Sequence, residues 1–173
     1  MTTISVNSTT GISLSAPSFT NPVAIDPGVT ITGNLPGVNA IAAYAGTWTI
    51  ANAGTVDGTG LGGNGIYLGG GGTITNQASG VITSLGSNSS AIYITGGAGS
   101  VTNLGAIDAG VWLQSGGSVT NQSGGRIISD STSGYGVGFH AGGTLNNAGQ
   151  ITGRFIGVDA NHLGAAVTNQ AGG

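Results

Sequence analysis

Six times along this chain a small residue and an aliphatic open a short strand, and an Asn follows ten or eleven residues after the aliphatic. The aliphatics are Ile41, Ile66, Ile92, Val111, Val137 and Val158, and the asparagines are Asn52, Asn76, Asn103, Asn121, Asn147 and Asn169. Their offsets are 11, 10, 11, 10, 10 and 11 residues, whereas the distance from each Asn to the next aliphatic wanders through 14, 16, 8, 16 and 11. One arc of the unit is held to within a residue and the other stretches. That is the pattern of a solenoid, whose stacking face is constant and whose insertions gather in loops on one side.

The Asn-to-Asn period runs 24, 27, 18, 26 and 22, within the range of solenoid repeats. Residue choice excludes a helical repeat, since Gly fills 37 of 173 positions and Thr, Ser, Asn, Val and Ile dominate the rest, which suits strands and turns. Polarity alternates with a period of two, as in Thr73-Ile74-Thr75 and Ser118-Val119-Thr120, so the aliphatic faces inward. After each Asn a Gly leads into another short strand, as in Ala53-Gly54-Thr55-Val56 and Leu104-Gly105-Ala106-Ile107. The expected fold is all-β, a single-stranded parallel β-helix (β-solenoid) of about six coils of ~23 residues with three short strands each. A lone coil cannot bury its aliphatics; coils stacked at roughly 4.8 Å pair every strand and line up one continuous interior.

An Asn at every turn predicts a structural role for Asn52, Asn76, Asn103, Asn121, Asn147 and Asn169. The turn would place them in a left-handed backbone conformation, and their side chains would hydrogen-bond along the rod as a ladder.

Residues 1–39 are less regular, with Pro17, Pro22 and Pro27 among them. They read as an N-terminal cap and irregular first coil, followed by β-helix repeats over 40–173. Val167 to Gly173 stops partway through a unit, which predicts an uncapped end where the polypeptide continues or docks. Met1 to Val6 has no positive region, apolar run or cleavage site of a signal peptide. The expectation is a fragment whose leader lies elsewhere, or export by a route that reads another signal. No stretch is apolar enough to cross a bilayer as a helix.

The chain carries five acidic and two basic residues, 4% charged in all, against about a quarter for ordinary globular proteins. Two arginines cannot form a basic stripe, which excludes nucleic acid and an anionic membrane surface as partners. Cysteine is absent, and a solenoid has no need of disulfides, because ladder and core supply its stability.

Runs such as Gly72-Thr73-Ile74-Thr75-Asn76-Gln77-Ala78-Ser79-Gly80-Val81-Ile82 and Gly117-Ser118-Val119-Thr120-Asn121-Gln122-Ser123-Gly124-Gly125-Arg126-Ile127 resemble the repeats of autotransporter passenger domains. Those are surface-exposed β-helices of type V secretion in Gram-negative bacteria, and the resemblance covers residues 29–173. It implies an extracellular or cell-surface passenger fragment or free-standing relative. It specifies architecture rather than activity, since passengers range from adhesins to stalks that carry enzymes. The leader and the carboxy-terminal translocator barrel of that family are missing from these residues.

Parallel β-helices also host polysaccharide-cleaving enzymes, which need clustered carboxylates. Asp57 and Asp108 each lie five residues after their Asn and so share a face, with Thr83 at the equivalent place between them. Two coil spacings put them roughly 10 Å apart, with no cation or His expected beside them, so they read as solvated turn residues. His140 and His162 fall one coil apart near Asp159, too few ligands for tetrahedral zinc. Gly69 to Gly72 precedes a strand and not a helix, so it is a turn and not a phosphate loop. No cofactor, metal site or catalytic residue is expected.

Two outward arrays remain. Thr49/Ala51, Thr73/Thr75, Ser100/Thr102, Ser118/Thr120, Thr144/Asn146 and Ala166/Thr168 make two files of mostly hydroxyl residues. They resemble the faces of ice-binding solenoids, although only one of the six pairs is Thr-x-Thr. Tyr67, Tyr93 and Trp112 follow their strand aliphatics by one residue and so point outward, a candidate contact stripe. The reading that follows is a non-enzymatic bacterial surface or secreted β-solenoid, an adhesin stalk or passenger rod. Its partner would be a host-surface or matrix protein or a glycan. The alternatives are a fibre subunit that stacks on itself end to end, and a carbohydrate-active or ice-binding β-helix.

Overall fold

The computed structural model describes residues 1–86, 89–130, 134–160 and 164–170. They form a parallel β-solenoid without a helix, with 21 strands numbered β1 to β21 along the chain. The strands sort into three parallel sheets, one on each side of the coil, as the repeat spacing predicts.

The first sheet holds eight strands: β1 (Thr2–Ile4), β3 (Val23–Ile25), β6 (Trp48–Asn52), β9 (Gly72–Asn76), β12 (Gly99–Asn103), β15 (Gly117–Asn121), β18 (Gly143–Asn147) and β21 (Ala165–Asn169). The second holds six: β4 (Thr30–Thr32), β7 (Thr55–Gly58), β10 (Val81–Ser84), β13 (Ala106–Asp108), β16 (Arg126–Ser129) and β19 (Gln150–Gly153). The third holds β2 (Ile12–Ser13), β5 (Ile41–Ala43), β8 (Ile66–Leu68), β11 (Ile92–Ile94), β14 (Val111–Leu113), β17 (Tyr135–Phe139) and β20 (Ile156–Asp159). Residues 1–39, read from sequence as a cap and irregular coil, supply strands to all three sheets.

Register follows the repeat. Ile41, Ile66, Ile92, Val111, Val137 and Val158 pair in one column of the third sheet, and Ile50, Ile74, Val101, Val119, Leu145 and Val167 pair in one column of the first. Val56, Ile82, Ile107, Ile127 and Ile151 form the inward column of the second sheet. The core is these three aliphatic files meeting along the axis. A one-residue slip would turn every file outward, so burial enforces the register.

A volume exchange at one corner keeps the coils the same width. Ala43, Leu68, Ile94, Leu113 and Phe139 stack in register at the end of the third sheet. Trp48, Gly72, Gly99, Gly117 and Gly143 stack at the start of the first. Where the first column is large, the second is Gly: a β carbon on Gly143 would lie 2.3 Å from Phe139 Cδ1, and one on Gly99 2.8 Å from Leu113 Cδ2. In the earliest of these coils the order is reversed, with Ala43 beside the buried indole of Trp48. Close packing accepts either arrangement but not two large residues together.

Candidate functional site

The six asparagines close the strands of the first sheet, and their side chains turn into the coil and not out at a turn. Asn52, Asn76, Asn103 and Asn121 are wholly buried. Each amide nitrogen donates to the Oδ1 of the Asn in the next coil: Asn52 to Asn76 at 2.9 Å, Asn76 to Asn103 at 2.9 Å, Asn103 to Asn121 at 2.8 Å, Asn121 to Asn147 at 2.9 Å and Asn147 to Asn169 at 2.7 Å. The same nitrogens reach backbone carbonyls around the bend, as Asn76 does to Gly80 and Ala106. A buried amide is costly unless bonded, and the stack of identical coils supplies a partner above and below. The left-handed conformation expected for these asparagines is not found. Among the described residues the only non-glycine with positive φ is Ala109, at 105°. Extended backbone is what lets the asparagine side chains point inward.

Tyr67, Tyr93 and Trp112 pair in register on the outer side of the third sheet, half-buried. The file is longer than its three sequence-derived members. Tyr44 packs on Tyr67 with centroids 5.5 Å apart, Tyr67 on Tyr93 at 5.7 Å and 20° between planes, Trp112 on Tyr135 at 5.4 Å, and Tyr135 on Phe155 at 5.7 Å edge to face. One aromatic per coil, within three residues of each reference aliphatic, was the signal that could have revealed Tyr44, Tyr135 and Phe155. These three sit off the strict register and so escape a search by fixed offset. The rings are engaged with one another between coils. What they offer outward is ring edges, phenolic hydroxyls and the exposed ends at Tyr44 and Phe155.

The hydroxyl files expected on the first sheet stand in register: Thr49, Thr73, Ser100, Ser118 and Thr144 in one column, Ala51, Thr75, Thr102, Thr120 and Asn146 in the other. Ser118 bonds Ser100 across the coil at 3.3 Å.

On the second sheet Asp57, Thr83 and Asp108 are successive strand partners, so the two carboxylates share a face two coils apart. They are not without a cation, however. Arg126 Nη2 lies 3.0 Å from Asp108 Oδ1, with both side chains well exposed. The guanidinium comes from the neighbouring strand column, whose proximity the linear offsets did not expose. Asp57 is different: its Oδ1 is buried without a hydrogen-bond partner among the described residues, and burial pushes its carboxyl above the ordinary range. His140 is exposed at the end of β17, and His162 lies outside the described residues. Among the described residues no three metal-ligating side chains converge.

A groove of about 750 Å³ runs over this sheet from the overhanging Leu61 and Leu85 past Asp108 and Arg126 to Gln150 and Thr152. Its origin is visible in the spacing. Between second and third sheets the neighbouring coils carry longer loops, but β13 joins β14 through Ala109 and Gly110 alone. The strained Ala109 makes that tight turn.

The fold and its faces define a parallel β-solenoid with a buried amide ladder and three distinct outer surfaces. Comparison with protein-family models, with curated proteins and with solved structures finds no match to this chain.

Proposed function

We propose that this chain is a non-enzymatic extracellular rod of the autotransporter-passenger kind, an adhesin stalk that holds its side faces toward a host-surface or matrix partner. The observation that carries the reading is the unbroken Asn ladder from Asn52 to Asn169. It locks successive coils in one register while the loops and outer files differ from coil to coil. Such a construction supports a stiff shaft with a variable surface. The near absence of charge supports contact through hydroxyls, amides and aromatics. Beads coated with the purified chain, tested on matrix-coated surfaces and cultured cells, should adhere. Adhesion should fall when Tyr67, Tyr93 and Trp112 are changed to Ala together. Beads that adhere to neither substrate would sink the adhesive reading.

A second reading is end-to-end self-association, supported by the scarcity of charge. Little electrostatic repulsion opposes contact between copies whose strand edges pair. Electron microscopy over a concentration series separates the two, because filaments one solenoid wide require the stacking and dispersed short rods deny it.

A further inference from the structure

The most sharply built surface feature outside the amide ladder and the aromatic file is the groove on the second sheet. Its floor is made by strands, not loops. Thr83, Asp108, Ile128 and Thr152 are successive partners in one outward column, and Arg126 and Gln150 are partners in the next. Four coils at the inter-strand spacing give it a length on the order of 14 Å. Leu61 and Leu85, both more than two-thirds exposed, form its apolar lip, and Asp130 lies at its side.

We infer that this groove is a binding site for a neutral oligosaccharide, with Asp108 and Arg126 as its central polar contacts. The inference rests on the reading of the chain as a rod that presents its sides to a partner, and it names the partner's chemistry. Three features point to a neutral, hydroxyl-rich ligand. First, Arg126 engages Asp108 through Nη2 alone among the described residues. Nε and Nη1 are left to donate, and the carboxylate keeps lone pairs to accept. A sugar hydroxyl both donates and accepts, so it satisfies either group.

Second, the charge balance is wrong for an ionic ligand. Arg126 is paired with Asp108, and Arg154 bonds the Asp130 carbonyl at the groove's side, so two cations stand with two carboxylates and no net charge favours a polyanion or a polycation. Third, the polar groups recur once per coil along the groove, held by strands whose order is not lost on binding. Such preorganisation reduces the entropic cost of fixing an extended chain. The leucine lip gives the apolar faces of a sugar ring something to cover.

The test uses isothermal titration of the whole chain with hexasaccharides of glucose, mannose and N-acetylglucosamine, and with an anionic hyaluronan hexasaccharide as control. At least one neutral probe should bind with Kd near or below about 1 mM, and hyaluronan should bind at least about tenfold more weakly. Arg126→Gln and Asp108→Asn should each weaken the neutral probe about tenfold. The exposure of both side chains predicts that the melting temperature hardly moves. Leu85→Asp is the second variant and should also reduce binding. Absence of binding by all three neutral probes overturns the inference. Binding unchanged in the groove variants, or lost only in Tyr67→Ala or Trp112→Ala, overturns it too. Either result leaves the rod reading standing, since that is judged by the adhesion and electron microscopy above.

Discussion

Trp112 lies over Gly138, its strand partner in the next coil, so closely that a β carbon on the glycine would sit 2.2 Å from indole Cε3. The outer file of the third sheet therefore contains a glycine because a large ring from the coil below occupies its place. Gly138→Val should push the indole off the sheet and expose it. The expected signature is a red-shifted Trp112 emission in a Trp48→Phe background, with a loss of about 1–3 kcal/mol typical of overpacking. Valine's strand preference works in the opposite direction by up to about 1 kcal/mol. Unshifted emission would mean that the ring does not rest there.

The corner exchange makes a second prediction. Gly143→Ala places its methyl 2.3 Å from Phe139 Cδ1, against a side chain that is fully buried. Urea denaturation should show a loss of about 1–3 kcal/mol. Phe139→Leu in the same chain should recover part of it, because the removed ring volume makes room. Two additive losses would show that the positions do not share space.

Deleting one rung of the amide ladder should be costly well away from any surface. Asn103→Ala leaves the buried Asn121 oxygen without its ladder donor, while the Asn76 amide keeps the Gly80 and Ala106 carbonyls as acceptors. One unsatisfied buried group predicts a loss of about 1–3 kcal/mol. The check is the midpoint of chemical unfolding, compared with Thr102→Ala on the adjacent outward position, which should change stability by under about 0.5 kcal/mol.

Asp57 ties stability to pH with a definite sign. Its carboxyl is raised by burial, so the folded chain holds the proton more tightly than the unfolded one. The folded state therefore gains relative stability as pH falls through the folded pKa, and the gain is complete below the ordinary carboxylate value. Asp57→Asn removes the buried charge and should raise the melting temperature at about pH 7. The advantage should shrink to near zero by about pH 3. An advantage that is constant with pH would assign the effect to something other than ionisation.

The Arg126–Asp108 pair should contribute little to folding despite its 3.0 Å separation. Both side chains are well exposed, and such pairs are worth at most about 1 kcal/mol. Arg126→Gln should thus melt within a few degrees of the parent chain, and any difference should fade in high salt.

The period of the asparagines, the alternation of Thr-Ile-Thr and the scarcity of charge were enough to specify a three-sided parallel solenoid and the register of its coils. Those properties are local and repeated, so each coil states the same instruction and burial enforces it. The constant arc from Ile66 to Asn76 and the variable arc that follows even placed the loops on one side. The backbone state of the asparagines was misjudged, because an Asn before a Gly carries the same letters whether its side chain turns out or in. Only the stacked coils supply the inward partners that decide it. The aromatic file was seen in its three regular members and missed in Tyr44, Tyr135 and Phe155, which reach the same surface from displaced backbone positions. Arg126 beside Asp108, the unpartnered oxygen of Asp57 and the groove below Leu85 were settled by tertiary structure alone. Each depends on side chains from different coils meeting in space, and contacts 18 or more residues apart leave no periodic trace when they occur once. The repeated contacts were legible in the chain, and the single ones had to be built.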